Sequence, residues 1–224
     1  MDSFGHVIQP PFEDVFRKDH MLKGKWNEQF FKNNNPIVLE LGCGKGEYTV
    51  ELARNNIDKN FLGVDIKGAR MWRGARTAFE EKMKNVGFLR TSIELIESFF
   101  STAEVDEIWI TFPDPQLKKR RNKKRLTGPR FLNSYSNFLK PDGLIHLKTD
   151  SRELYDYTLG LIKNNPVQLI EATHDLYDGM RANEPLAIKT YYEQIFLEQG
   201  KKITYLCFRL KPGKPIEEFD ADEE

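Results

Sequence analysis

From Pro36 onward, apolar runs of strand length alternate with segments of helical period, and this alternation restricts the possible folds more than any other feature. The runs are IVLEL (37–41), NFLGVD (60–65), VGFLRT (86–91), EIWIT (107–111), GLIHLKT (143–149), VQLIEAT (167–173) and ITYLCFRL (203–210). They predict seven strands. Between them Tyr48 and Leu52, then Trp72, Ala75 and Phe79, and later Leu154, Tyr157 and Leu161 recur at spacings of three and four, so each intervening helix is expected to bury one face. By the same periodicity Trp72 and Trp109 are expected in or near the core. Strand and helix in turn imply an α/β chain with a doubly wound, seven-stranded, mostly parallel sheet covered by helices on both faces. In such sheets ligands sit at the carboxyl ends of the strands, where the strand order reverses.

Residues 1–35 hold Pro10, Pro11, several charges and an Asn run at 33–35, and read as an N-terminal arm. The regular fold is expected over 36–211, followed by an acidic tail over 212–224. With 224 residues, 39% of them hydrophobic, the chain can bury one substantial core. Cys43 and Cys207 lie far apart, with no Cys/His spacing that would hold zinc, which points to a reduced intracellular protein and no metal. No leader pattern and no run of membrane-spanning length is present, so a cytoplasmic protein without a membrane partner is expected. The formal net charge of zero hides two opposed blocks: seven of the eight residues from Lys118 to Arg125 are basic, and six of the eight from Glu217 to Glu224 are acidic.

The first strand runs into ELGCGKGEY, which puts Glu40, Gly42, Gly44 and Gly46 at the turn before a helix. Glycines let backbone approach a ligand closely, and the helix start offers unpaired N–H donors. A dinucleotide site would show G-x-G-x-x-G to seat a pyrophosphate. Here the pattern is G-x-G-x-G with an acid two positions ahead, and a carboxylate beside the turn suits a cationic ligand such as S-adenosylmethionine while it would repel a pyrophosphate. Asp65 ends the second strand, where it can accept ribose hydroxyls or cap the next helix.

The fourth strand leads into FPDPQLKKRRNKKRLTGPRF (112–131). Pro113 and Pro115 each fix their own φ and restrict the residue before them, so Asp114 is held in a narrow range of geometry. In a doubly wound sheet this loop faces the cofactor turn. The basic block that follows has no apolar position and must be solvated or neutralised by a polyanion, for which RNA phosphate is the natural candidate. His6, His20, His146 and His174 form no motif, and His146 within an apolar strand is read as packed.

These motifs resemble the bacterial tRNA (guanine-N7)-methyltransferases, and the resemblance runs from about residue 36 to 211 through ELGCGKGE, Asp65, FPDPQLKKR, the K-T-D at 148–150 and TYYE at 190–193. It implies a Rossmann-like class I methyltransferase fold and transfer of a methyl group from S-adenosylmethionine to N7 of a tRNA guanosine in the variable loop. The resemblance further implies that Glu40, Gly42, Gly44, Asp65, Ser92 and Asp114 surround S-adenosylmethionine, with Asp114 also catalytic. Ser92 stands where family members often carry Asp or Asn. By the same resemblance Lys118, Asp150, Thr190, Tyr191, Tyr192 and Glu193 contact the guanosine. Read without it, Thr190-x-x-Glu193 is a capping box and Asp150 a helix cap. The rival readings are a class I methyltransferase with another substrate, a dehydrogenase, and a silent RNA-binding protein. Monomer and homodimer are both compatible with the sequence.

Overall fold

The computed structural model describes residues 4–178 and 185–219. One sheet of eight strands forms its centre: β1 (Val7–Ile8), β2 (Ile37–Leu41), β3 (Asn60–Asp65), β4 (Val86–Arg90), β5 (Val105–Thr111), β6 (Leu139–Thr149), β7 (Val167–Thr173) and β8 (Thr204–Leu210). Their order is β1-β4-β3-β2-β5-β6-β8-β7. All neighbouring pairs from β1 to β6 are parallel, and β8 runs antiparallel to both β6 and β7. The seven expected strands are β2 to β8. The eighth is a two-residue strand, too short to show alternation, that joins the edge at β4 by pairing Val7 with Phe88.

Among the described residues six α-helices connect and cover the strands: α1 (Phe12–Val15), α2 (Glu47–Asn55), α3 (Gly68–Glu80), α4 (Pro129–Tyr135), α5 (Arg152–Asn164) and α6 (Tyr191–Glu198). The period-two pattern sorts each inner strand between two cores. Ile37, Leu39 and Leu41 of β2 join Leu132 of α4 and Leu161 of α5 on one face, whereas Val38 joins Leu52 of α2 and Met71 of α3 on the other. Residues ahead of β2 also pack: Trp26 is fully buried and donates its indole N–H to the Phe99 carbonyl at 2.7 Å. The Asn run is tied down by Asn60, whose amide N donates to Asn33 Oδ1 at 2.6 Å.

One helix departs from its expected face. Trp72 and Phe79 are 42% and 58% exposed; of the expected face only Ala75 is buried, together with Gly68, Met71, Gly74 and Ala78. Small residues are required there because α3 sits almost against the glycine turn and the sheet. A Cβ built on Gly74 would lie 2.8 Å from the Lys45 carbonyl oxygen, 2.9 Å from the Phe88 ring and 3.0 Å from the Gly46 Cα. Trp72 and Phe79 therefore point to solvent, while Met71 and the expected Ala75 face the core. Trp109, by contrast, is buried as expected and stacks on His146 at 4.0 Å.

Because two of the three atoms facing Gly74 belong to backbone, Gly74→Ala should destabilise the protein. An overpacking cost of about 1–3 kcal/mol exceeds the gain of up to ~1 kcal/mol that alanine brings to a helix interior. Urea denaturation of the two proteins measures the difference, and a variant at least as stable as the parent would refute the packing argument.

Candidate active site

Where β2, β3 and β5 end, the chain leaves a cavity of about 550 Å³, within the range of small-ligand sites. Its floor is the glycine turn. Gly42, Gly44 and Gly46 all have positive φ, at 82°, 54° and 71°, a region in which L side chains are strained. The N–H groups of Gly42 and Cys43 both reach the Val64 carbonyl, which folds the turn back over β3. A Cβ on Gly42 or Gly44 would meet nothing closer than 3.9 Å, so both glycines leave their surroundings open to a ligand.

Two carboxylates flank this floor under different conditions. Asp65 Oδ2 accepts the Gly44 N–H at 2.9 Å and Oδ1 accepts the Lys67 N–H at 2.7 Å, so both oxygens are braced by backbone and each keeps a lone pair. Glu40 is only 3% exposed. Burial pushes its pKa up to about 7, against the pull of the hydroxyl donors Thr111, at 2.6 Å, and Thr49, and the nearby negative Asp65 adds to the rise. A cation placed in the cavity would favour the ionised form of Glu40.

The FPDP loop forms the opposite wall. Phe112 and Gln116, at its two ends, have φ of 47° and 50°, a conformation uncommon for non-glycine residues. The Phe112 N–H is fixed on the Lys148 carbonyl at 2.8 Å. Between the prolines Asp114 accepts the Gln116 N–H at 3.0 Å, an Asx turn that aims one carboxylate oxygen inward along the loop while the side chain borders the cavity. The basic block continues as a 3₁₀ segment, Lys119–Lys124, and Arg125 ties it back by donating to the Pro115 carbonyl at 3.3 Å. Lys124 reaches the cavity rim; Lys118 is exposed and does not line it.

The third wall is the segment entering α6. Thr190 caps the helix by accepting the Glu193 N–H at 3.3 Å, and Thr190 and Tyr192 line the cavity. Tyr191 stays half exposed, its N–H on Glu47 at 3.0 Å and its ring 3.7 Å from the Lys45 ammonium. Glu193 points the other way. It is fully buried, 2.9 Å from the equally buried Lys148 ammonium, and accepts the Tyr177 hydroxyl at 2.6 Å. Lys148 also donates to the carbonyls of Leu186 at 2.9 Å and Ile188 at 2.8 Å.

The structure therefore gathers Glu40, Gly42, Gly44, Asp65, Ser92, Asp114, Thr190 and Tyr192 around one cavity. Asp150 stands in an adjacent cleft of about 540 Å³, bordered by Pro115 and Leu117, where it pairs with Lys201 at 2.6 Å. The cap of α5 is Ser151, which accepts the Leu154 N–H, and not Asp150. The sequence reading gave no role to Thr49, Thr111 or Lys45, nor to Lys148, the first residue of K-T-D. Only Lys148 carries a signal, as a charge inside the apolar run GLIHLKT.

Two stability measurements follow from these groups. Since the folded value of Glu40 lies above the ordinary carboxylate value, its contribution is complete at low pH and fades as pH rises through about 7. Glu40→Gln should gain on the parent protein across that window, by the order of 1–3 kcal/mol at about pH 8. A pH-independent difference in urea denaturation would contradict it. Lys148→Met should cost about 3–5 kcal/mol by stranding Glu193, and adding Glu193→Gln should recover part of the loss. A double-mutant cycle in the same assay shows no coupling if the pair is unimportant.

Residues 34–206 match a protein-family profile described as "Putative methyltransferase". A tRNA (guanine-N(7)-)-methyltransferase of Christiangramia forsetii is 58% identical over 211 residues, 94% of each chain. Another bearing that name, from Porphyromonas gingivalis, is 54% identical over 96% of this chain and 88% of its own. Among solved structures, the 16S rRNA methyltransferase KamB superposes with a TM-score of 0.62 at 15% identity, covering 83% of this chain and 92% of its own. At that identity it speaks for the fold alone, the α/β sheet described above. With relatives this close over nearly its whole length, the chain belongs to the tRNA (guanine-N7)-methyltransferase family.

Proposed function

We propose that this protein transfers a methyl group from S-adenosylmethionine to N7 of a guanosine in tRNA, in the variable loop. The observation that carries the reading is the identity of 58% over 94% of the chain to a relative of that name, in which the glycine turn and the FPDP loop both fall. The cavity fits such a cosubstrate: glycines without steric obstruction, two carboxylates for a cationic amino-acid end and a ribose, and a volume of about 550 Å³. Glu40, Gly42, Gly44, Asp65, Ser92 and Asp114 would hold it. S-adenosylmethionine supplies an electrophilic methyl on a sulfonium.

The residues then have a positioning task. Guanine N7 offers a lone pair and carries no proton, so its bond to the methyl carbon forms as the carbon–sulfur bond breaks, and no base is required. The purine becomes cationic, and a carboxylate fixed nearby stabilises that charge. Asp114, held between two prolines and by its own Asx turn, is assigned this role. Thr190 and Tyr192 face the same cavity and are assigned to the guanosine. Asp150 and Lys118 would contact the nucleotides next to it from the adjoining cleft and loop, Tyr191 from the rim, and Glu193 would act from beneath by holding the other three members of TYYE.

Transfer of labelled methyl to unmodified tRNA, followed by nucleoside analysis, tests the reading directly. Label in 7-methylguanosine is expected; label in another base or in protein would overturn the N7 assignment. Asp114→Asn should lower turnover by about 10²-fold, the scale of a misplaced reacting pair, and full turnover with unchanged cosubstrate affinity would remove Asp114 from its role.

A further inference from the structure

Helix α3 leaves the sheet directly beyond Asp65, and its outer face is unusually cationic. Lys67, Arg70, Arg73 and Arg76 recur every third residue and are all exposed, spanning about 14 Å at 1.5 Å per residue. Lys67 and Arg70 reach the cavity rim, so the row begins at the mouth and runs away from it. Trp72 lies within the row, 42% exposed, with the Arg76 guanidinium 5.3 Å from its ring.

The acids that face the row are few. Glu47 lies 3.7 Å from Arg73 and is engaged with the Tyr191 N–H, and Glu80 pairs with Arg76 at 2.7 Å. From the neighbouring elements Lys45 and Arg90 add positive charge. Six cations stand there, Glu47 and Glu80 pair with two of them, and Asp65 and Glu94 lie at the rim end of the row; this excess of positive charge, with a large aromatic ring exposed within it, suits an anionic strand whose bases can stack. A face that served only for solubility would need no exposed indole. The basic block after the FPDP loop contributes Lys124 to the opposite rim, so the mouth has cations on both sides.

We propose that the outer face of α3 is a second RNA-docking surface, on which Arg73 and Arg76 bind tRNA phosphates and Trp72 stacks an unpaired base while the basic block holds the other side of the mouth. The proposal rests on the reading of tRNA as substrate. Neither Arg73, Arg76 nor Trp72 lines the cavity, so their removal should spare the chemistry.

The test compares the full chain with Arg73→Gln/Arg76→Gln and with Trp72→Ala, using unmodified tRNA and S-adenosylmethionine. The double variant should raise KM for tRNA about 10-fold at moderate salt, leave kcat at saturating tRNA and cosubstrate Kd unchanged, and reduce the slope of log affinity against log salt by about 1.5–2. Trp72→Ala should raise KM about 10-fold with little change in that slope. Unaltered KM and slope in both variants, with the parent binding tRNA normally, would overturn the docking surface alone. Unaltered tRNA affinity accompanied by altered sedimentation would assign the face to a protein contact and equally overturn it. A parent chain that binds no tRNA at all would overturn both this surface and the substrate reading.

Discussion

The arrangement of the site depends on a lysine with no access to water. The Lys148 ammonium lies wholly inside the protein, and removing such a charge from solvent costs several kcal/mol unless it is paired and hydrogen-bonded. Glu193 and two carbonyls supply that environment, and all three belong to the segment that enters α6. This segment can satisfy the ammonium only when folded down onto β6, which brings Thr190 and Tyr192 to the cavity. The backbone carbonyl of the same residue receives the Phe112 N–H. Two walls of the cavity, distant in sequence, are thus referred to one position in β6.

The two acids of the cofactor turn divide the electrostatic work. Asp65, held by two amides, is a fixed acceptor that also shapes the turn it serves. Glu40 sits deeper, among apolar strands, and its charge is balanced near neutrality by burial against hydroxyl donors. A neutral Glu40 is compatible with an empty floor, and an anionic one is favoured beside a bound cation. The cofactor turn therefore holds the charge of its more buried acid in reserve until a partner of opposite sign arrives.

Much of this was legible beforehand. Seven strands, the glycine turn and the FPDP loop are local patterns, and each is marked by periodicity or by residues with restricted backbone, such as Pro113 and Pro115. What the sequence hid was decided by pairing at a distance. Val7 and Ile8 become a strand only because the β4 edge is free to receive them. Of the expected stripe Trp72, Ala75 and Phe79 only Ala75 faces the core, beside Met71 and Ala78, and the choice was made by how closely α3 approaches the sheet. Glu193 reads as half of a capping box; Thr190 does cap, while the glutamate turns to Lys148, 45 positions earlier in the chain. Asp150 was expected beside the cavity residues, but the loop after β5 divides the two: Asp114 and Gln116 line the cavity, whereas Pro115 and Leu117 line the cleft that holds Asp150.

Gly46, Gly63 and Gly74 converge on the ring of Phe88, each so close that a methyl group would fall within 3.0 Å of it. Here the separation of helix from sheet is set by the thickness of one aromatic ring, with no flexible side chain between them to absorb a displacement. A contact of this kind is stiff in compression. The turn that carries Gly42 and Gly44 is mounted directly on it, so the floor of the cavity moves with the sheet as a rigid body, and whatever opening admits a ligand must come from the walls.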